Sequence, residues 1–159
     1  AGVAAAPPAM VETVSGVLAF TNDARMAAGL SPLREERRLV RAAENRYVTM
    51  LGHPTGRLLL SRAGYSVDLE AVIDACARTG TMIEINASPY RLDLDVPHSR
   101  LAVERGVMLS INPDAHSTGG LDDVEYGIGV ARRAGLTSKS VLNTLSPEAI
   151  LTELKSKPR

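Results

Sequence analysis

At 159 residues the chain is long enough for one domain with a real core and too short for two comfortable ones. Lys plus Arg equals Asp plus Glu at 18 each, so no global field draws it to nucleic acid or an anionic membrane; any such contact must come from a local patch. A single cysteine, Cys76, excludes an internal disulfide and fits a reducing, cytoplasmic setting, and no apolar run approaches the ~20 residues that cross a bilayer.

Ala1 to Ala9 reads as an Ala/Pro-rich lead-in. It lacks a basic n-region and carries Pro7-Pro8, so it is a poor signal peptide, and the missing initiator methionine suggests a piece of a longer protein. Val11 to Phe20 alternates enough for a strand weakened by Gly16. Ser31-Pro32 has the form of an N-cap followed by Pro at the first helical position, opening a helix to about Ala43. On it Arg34, Arg37, Arg38 and Arg41 share one face, read as solvated, with a phosphate-binding surface as the alternative.

From Tyr47 the pattern becomes regular. Tyr47 to Leu51 is predicted as a strand ending in a Gly/Pro turn, with a short helical turn at Leu58 to Leu60. Asp68 caps an amphipathic helix carrying Leu69, Val72, Ile73, Cys76 and Ala77 on one face and closed by Gly80. Thr81 to Ile85 is the next strand, Asn86 to Ser99 a polar loop, and Arg100 to Arg105 a short helix stopped by Gly106. Val107 to Ile111 is a third strand, followed by a helix over Leu121 to Ala134 with Gly135 as its cap, a helical piece at Thr137 to Asn143, and a last helix capped at Ser146-Pro147-Glu148. Strand, polar loop, helix and glycine, repeated, argue for βαβ units around a parallel sheet.

In such folds functional groups collect at the carboxyl ends of the strands. His53 follows the first regular strand, Asn86 the second, and Asp114 and His116 the third. Read as an extended segment, Asp114 and His116 point the same way, and a carboxylate with a neutral imidazole makes half of a divalent metal site; the alternative is an Asx-type turn with a surface histidine. His98, after Pro97, is read as solvent-exposed rather than as a ligand. Glu84 lies inside the apolar run Met82-Ile-Glu-Ile85 and must find partners, a basic side chain or a metal, because an unpaired buried carboxylate is costly. Gly52 and Gly56 permit close backbone approach. Arg57 and Arg91 suit a bidentate grip on phosphate, or equally salt bridges to Asp93 and Asp95.

The words Leu51-Gly-His-Pro-Thr-Gly-Arg-Leu-Leu-Leu60, Glu84-Ile-Asn-Ala-Ser-Pro-Tyr-Arg-Leu-Asp-Leu94, Ile111-Asn-Pro-Asp-Ala-His-Ser117 and Gly120-Leu-Asp-Asp-Val-Glu-Tyr-Gly-Ile-Gly-Val-Ala-Arg-Arg133 resemble the PHP (polymerase and histidinol phosphatase) domain, most closely the one at the C-terminus of bacterial family X DNA polymerases. The resemblance runs from about Arg38 to Asn143. It implies a distorted (βα) barrel with a divalent metal cluster, Mn or Zn, at its C-terminal rim. It also implies phosphoester hydrolysis, in that family a 3′-to-5′ exonuclease working in DNA repair beside polymerase domains. His53, Asp114 and His116 match metal ligands of the family; Glu84, Asn86 and Arg91 match its Glu-Ile-Asn and Arg-Leu-Asp-Leu signatures, in supporting or substrate-facing roles. The family opens with a His-x-His strand, whereas residues 1–46 contain no histidine.

The expectation is therefore an α/β fold with a divergent lead-in over 1–37 and the C-terminal part of a PHP-like partial barrel over 38–159. Its site would comprise His53, Asp114 and His116 on an incompletely coordinated metal, with Arg57, Arg91 and Glu84 beside them and DNA or another phosphoester as substrate. Two functional readings follow: a metal-dependent phosphoesterase part, or a non-catalytic remnant supporting a polymerase. An amidohydrolase-like hydrolase is a distant third.

Overall fold

The structure is a computed structural model that describes residues 35–156, all within one compact unit formed by Glu35–Arg159. The expected strand at Val11 to Phe20 and the helix start at Ser31-Pro32 lie outside the described residues. The described residues form five α-helices and three strands, in the order α1 (Glu35–Glu44), β1 (Met50–Leu51), α2 (Leu69–Thr79), β2 (Met82–Asn86), α3 (Val96–Glu104), β3 (Leu109–Asn112), α4 (Val124–Ala134) and α5 (Pro147–Ser156).

The three strands are parallel and ordered β1-β2-β3, with Met50 opposite Met82, Ile83 opposite Leu109 and Asn86 opposite Asn112. The regular segments are thus parallel neighbours, as their pattern predicts, and their carboxyl ends share one rim. Among the described residues the sheet has these three strands and does not close on itself.

Alternation along the strands divides the sheet into two chemically different faces. Leu51, Ile83, Ile85, Leu109 and Ile111 occupy one, and all join the buried core with Val72, Ile73 and Cys76 of α2, Ala102 of α3 and Val130 and Ala131 of α4. Each fully buried Ile or Leu here contributes about 2–3 kcal/mol. Met82, Glu84, Asn86, Ser110 and Asn112 occupy the other face, which explains how a carboxylate sits mid-strand: it faces a polar layer, not the helices.

Local chemistry sets the element ends. Asp68 accepts from the Ala71 N–H at 3.0 Å to start α2, and Gly80 closes it at φ 66°, as expected. β1 is shorter than Tyr47–Leu51 because Asn45 captures the Tyr47 N–H at 2.9 Å and turns the chain there. α3 begins at Val96, earlier than the expected Arg100, because Asp95 caps it and Pro97 falls in the first turn, where proline is tolerated. The expected helical turn at Leu58 to Leu60 is instead a tight reversal bridged antiparallel between Leu58 and Arg62, with Leu60 at φ 61°. Thr137 to Asn143 splits into two 3-10 turns, Ser138–Ser140 and Leu142–Thr144, around an extended Val141 that bridges Leu109.

Candidate functional site

The rim is built from three loops. The first follows β1 and carries His53, Pro54, Thr55, Gly56 and Arg57; the second follows β2 and carries Tyr90 to Asp95; the third follows β3 and carries Asp114 and His116. Side-chain hydrogen bonds tie all three together.

Glu84, on the middle strand, is the hub. Its Oε2 accepts from the backbone N–H of His53 at 2.8 Å and from Asn86 Nδ2 at 3.3 Å, and its Oε1 accepts from Asn112 Nδ2 at 2.9 Å. The expected partner was a cation or a metal; the partners found are neutral donors from the loop after β1, from β2 itself and from β3. Three donors thus satisfy a carboxylate that sits mid-strand.

Asp93 holds the first loop from the second. It is fully buried, and its Oδ2 accepts from the N–H of Thr55 at 3.0 Å, the hydroxyl of Thr55 at 2.8 Å and the N–H of Gly56 at 3.0 Å. Its Oδ1 is buried without a hydrogen-bond partner. Burial pushes the Asp93 carboxyl above the ordinary carboxylate value, and the Thr55 and Gly56 hydrogen bonds and the nearby Arg57 only partly offset this.

The two arginines have different occupations. Arg57 turns inward: its Nε donates to the Arg91 carbonyl at 2.8 Å, an Nη group donates to the Leu92 carbonyl, and Nη1 lies 3.9 Å from Asp95. It staples the second loop to the first, so a free phosphate grip is not its arrangement here. Arg91 pairs with Asp114, Nε to Oδ2 at 3.2 Å, and donates to the Arg57 carbonyl at 3.4 Å. The alternative salt bridges therefore hold for Arg57 with Asp95, whereas Arg91 takes Asp114.

Asp114 is not extended: it sits at φ 56°, and the carbonyl it turns outward lies 2.7 Å from His116 Nδ1. A carbonyl can only accept, so Nδ1 carries the proton and Nε2 is left as the ligand or base atom. The common direction expected from an extended Asp-x-His is thus replaced by a turn in which the two residues bond each other.

The non-glycine residues with positive φ among those described are His53 (29°), Leu92 (46°) and Asp114, on loops at this rim, and Leu60, at the exposed tip of the reversal after β1. Such conformations cost on the order of 1–3 kcal/mol each and persist where surrounding contacts over-determine them. Glu84 holds the His53 N–H, Arg57 the Leu92 carbonyl, and Arg91 and His116 hold Asp114.

Two imidazoles and a carboxylate are the donor types that suit Zn or Mn. His53, Asp114 and His116 all reach this rim, yet among the described residues no three His, Cys, Asp or Glu side chains are grouped so as to hold one metal ion. His98 stands apart, with Nδ1 2.6 Å from Asp95 Oδ1 at the start of α3; it is half-buried rather than exposed.

Sequence reasoning passed over Asp93 as a structural centre, and with it Thr55, Asn112 and Asn143. A signal was available for Asp93: a carboxylate between Leu92 and Leu94 poses the same burial problem that singled out Glu84. Asn143 was invisible, because its role is to complete the sheet. Its amide accepts from the Ile111 N–H at 2.7 Å and donates to the Ile111 carbonyl at 2.9 Å, as a neighbouring strand would.

No family model matches the chain. Over 119 residues it is 43% identical to the DNA polymerase/3′-5′ exonuclease PolX of Bacillus subtilis (strain 168), an overlap of 75% of this chain and 21% of that protein. It is 27% identical over 144 residues to a probable phosphatase of Thermoanaerobacter sp. (strain X514), covering 87% of this chain and 56% of the relative. A probable phosphatase of Shewanella sediminis (strain HAW-EB3) is 26% identical over 125 residues, 75% of this chain and 48% of the relative. The chain thus spans about a fifth of the polymerase and about half of each phosphatase. These relatives are compatible with a PHP-like domain.

Proposed function

We propose that the chain is the rim-bearing part of a PHP-type phosphoesterase domain of the family X polymerase lineage. It would act on DNA 3′ ends or other phosphoesters, in cytoplasmic DNA repair and beside polymerase domains of a longer chain. The observation that carries this reading is the placement of His53, Glu84, Asp114 and His116 along one sheet rim, in a chain 43% identical over 119 residues to a relative named as a 3′-5′ exonuclease. His53, Asp114 and His116 would hold a divalent ion, Mn or Zn, as part of a shell. When bound, such an ion polarises the phosphoryl group and lowers the pKa of water. The chain's own residues prepare for it: Glu84 fixes the His53 backbone, the Asp114 carbonyl fixes the His116 tautomer, and Arg91 orients Asp114. In the hydrolysis, the oxygen of water bonds to phosphorus, the bond to the leaving oxygen breaks, and that oxygen takes the proton.

The test is Mn²⁺-dependent 3′-to-5′ degradation of a single-stranded oligonucleotide by wild type, His53→Ala, Asp114→Asn and Arg91→Ala. Expected is loss in the first two variants and partial loss in Arg91→Ala, on the order of 10²-fold. Equal activity in wild type and Asp114→Asn would place the chemistry elsewhere. A second reading, a non-catalytic remnant that supports a polymerase, is favoured by the ungrouped ligands and by the Arg91 guanidinium already on Asp114. Inactivity of the wild type together with no calorimetric Mn²⁺ or Zn²⁺ binding decides for it.

A further inference from the structure

The turn that carries His53 has three backbone N–H groups, because Pro54 has none. Carboxylates take all three: Glu84 accepts from His53, and Asp93 accepts from Thr55 and Gly56. The Thr55 hydroxyl adds a fourth bond, also to Asp93. Neither carboxylate belongs to the loop it holds. Successive N–H groups converging on an anion form a nest, and here the anion is a buried side chain of the protein itself.

Asp93 is placed firmly enough to act as the fixed end of this contact. Its backbone exchanges two hydrogen bonds with Asn86 at the end of β2, at 2.6 and 3.2 Å, and the next residue, Leu94, is fully buried. Arg57 reaches back from the held turn to the Arg91 and Leu92 carbonyls, so the loops are tied in both directions. Meanwhile His53 is at φ 29°, a conformation that L-residues rarely keep without outside support.

We propose that Asp93 is a positioning residue for His53: its carboxylate locks the Thr55-Gly56 nest and thereby sets the direction in which the imidazole is presented at the rim. The proposal deepens the metal-ligand reading of His53, but its first consequence, the ring's fixed placement, holds whether or not the rim proves catalytic.

The test uses the full chain with ¹⁵N-labelled histidine and compares wild type with Asp93→Asn, Thr55→Val and Thr55→Ser by long-range ¹H–¹⁵N spectra. Thr55→Val removes one bond of the nest and is expected to remain folded, which protects the experiment if Asp93→Asn does not fold. Expected are displaced or broadened His53 ring signals in Thr55→Val, with His98 unmoved, and a return to the wild-type position in Thr55→Ser. Addition of Mn²⁺ provides the second readout. Where wild type binds, Thr55→Val should weaken Mn²⁺ affinity about 10–100-fold, as loss of a partner that orients a ligand does. His53 signals identical in wild type and folded Thr55→Val would overturn the proposal. Displaced His53 signals in a chain that binds no metal would sustain the positioning role while removing the metal-site reading.

Discussion

Glu84 and Asp93 show how single residues carry this rim. Replacing Glu84 by Gln puts an NH₂ group where one oxygen accepted, so one of its N–H partners from His53, Asn86 or Asn112 loses its acceptor. The expected cost is about 1–3 kcal/mol, read as a lower urea midpoint at unchanged slope. Asp93 makes a prediction about pH. Its folded-state carboxyl is raised by burial, so between the unfolded and folded values the native state binds more protons than the unfolded one. Stability from this group is therefore full below the unfolded value and is lost as pH rises through the raised one. The difference in unfolding free energy between wild type and Asp93→Asn should fall as pH rises across that window. Urea titrations at stepped pH check it, and a difference that rises instead would show that the nest's hydrogen bonds outweigh desolvation.

At the scale of elements, α4 offers a matched pair of glycines. A Cβ on Gly127 would meet Ile111 Cγ2 at 2.5 Å and Ala87 Cβ at 2.7 Å, whereas one on Gly129 would meet nothing within 4 Å. Helix propensity alone favours alanine at both by about 1 kcal/mol. Gly127→Ala should nevertheless destabilise by about 1–3 kcal/mol, because the helix cannot move off β3 without opening the core. Gly129→Ala should stabilise by up to about 1 kcal/mol. Thermal melts of the two variants separate close packing from propensity. Asn143 belongs to this scale too, since its amide closes the edge of β3. Asn143→Leu leaves the Ile111 N–H and carbonyl unpaired there and should cost about 2 kcal/mol or more, measurable as faster amide exchange at Ile111.

For the whole molecule, charge balance has a direct consequence. Formal net charge is zero with a sequence pI near 7.1, so intermolecular repulsion is weakest around neutrality. Solubility should pass through a minimum near pH 7 and rise toward pH 5 and pH 9, as polyethylene glycol precipitation would measure; a monotonic trend would contradict this. The same balance means that any grip on a nucleic acid comes from a local patch and not from the surface as a whole. No helix among the described residues is long and apolar enough to cross a membrane.

Local chemistry was legible in the sequence because its causes are local. Asp68 and Gly80 bound α2, Gly135 closes α4 at φ 78°, and the repeated strand–helix period set β1, β2 and β3 side by side, with Asn86 at the end of β2 and His53 and Asp114 beyond the ends of β1 and β3. Those features depend on neighbours within a turn or on a periodicity of two or 3.6, which the chain writes down. What Glu84 bonds, which arginine reaches which acid, and why Asp93 is buried depend on segments far apart in sequence meeting across a sheet, as His53 and Glu84 do at a separation of 31 and Arg91 and Asp114 at 23. Sequence could say that a carboxylate between apolar neighbours needs partners; only the assembled rim decided that they are uncharged donors, backbone N–H groups, side-chain amides and a hydroxyl. The turn at Asp114 is the plainest case. Alternation gave its side chain a direction, and a left-handed turn closed locally by His116 and held by Arg91 from the second loop overrode it.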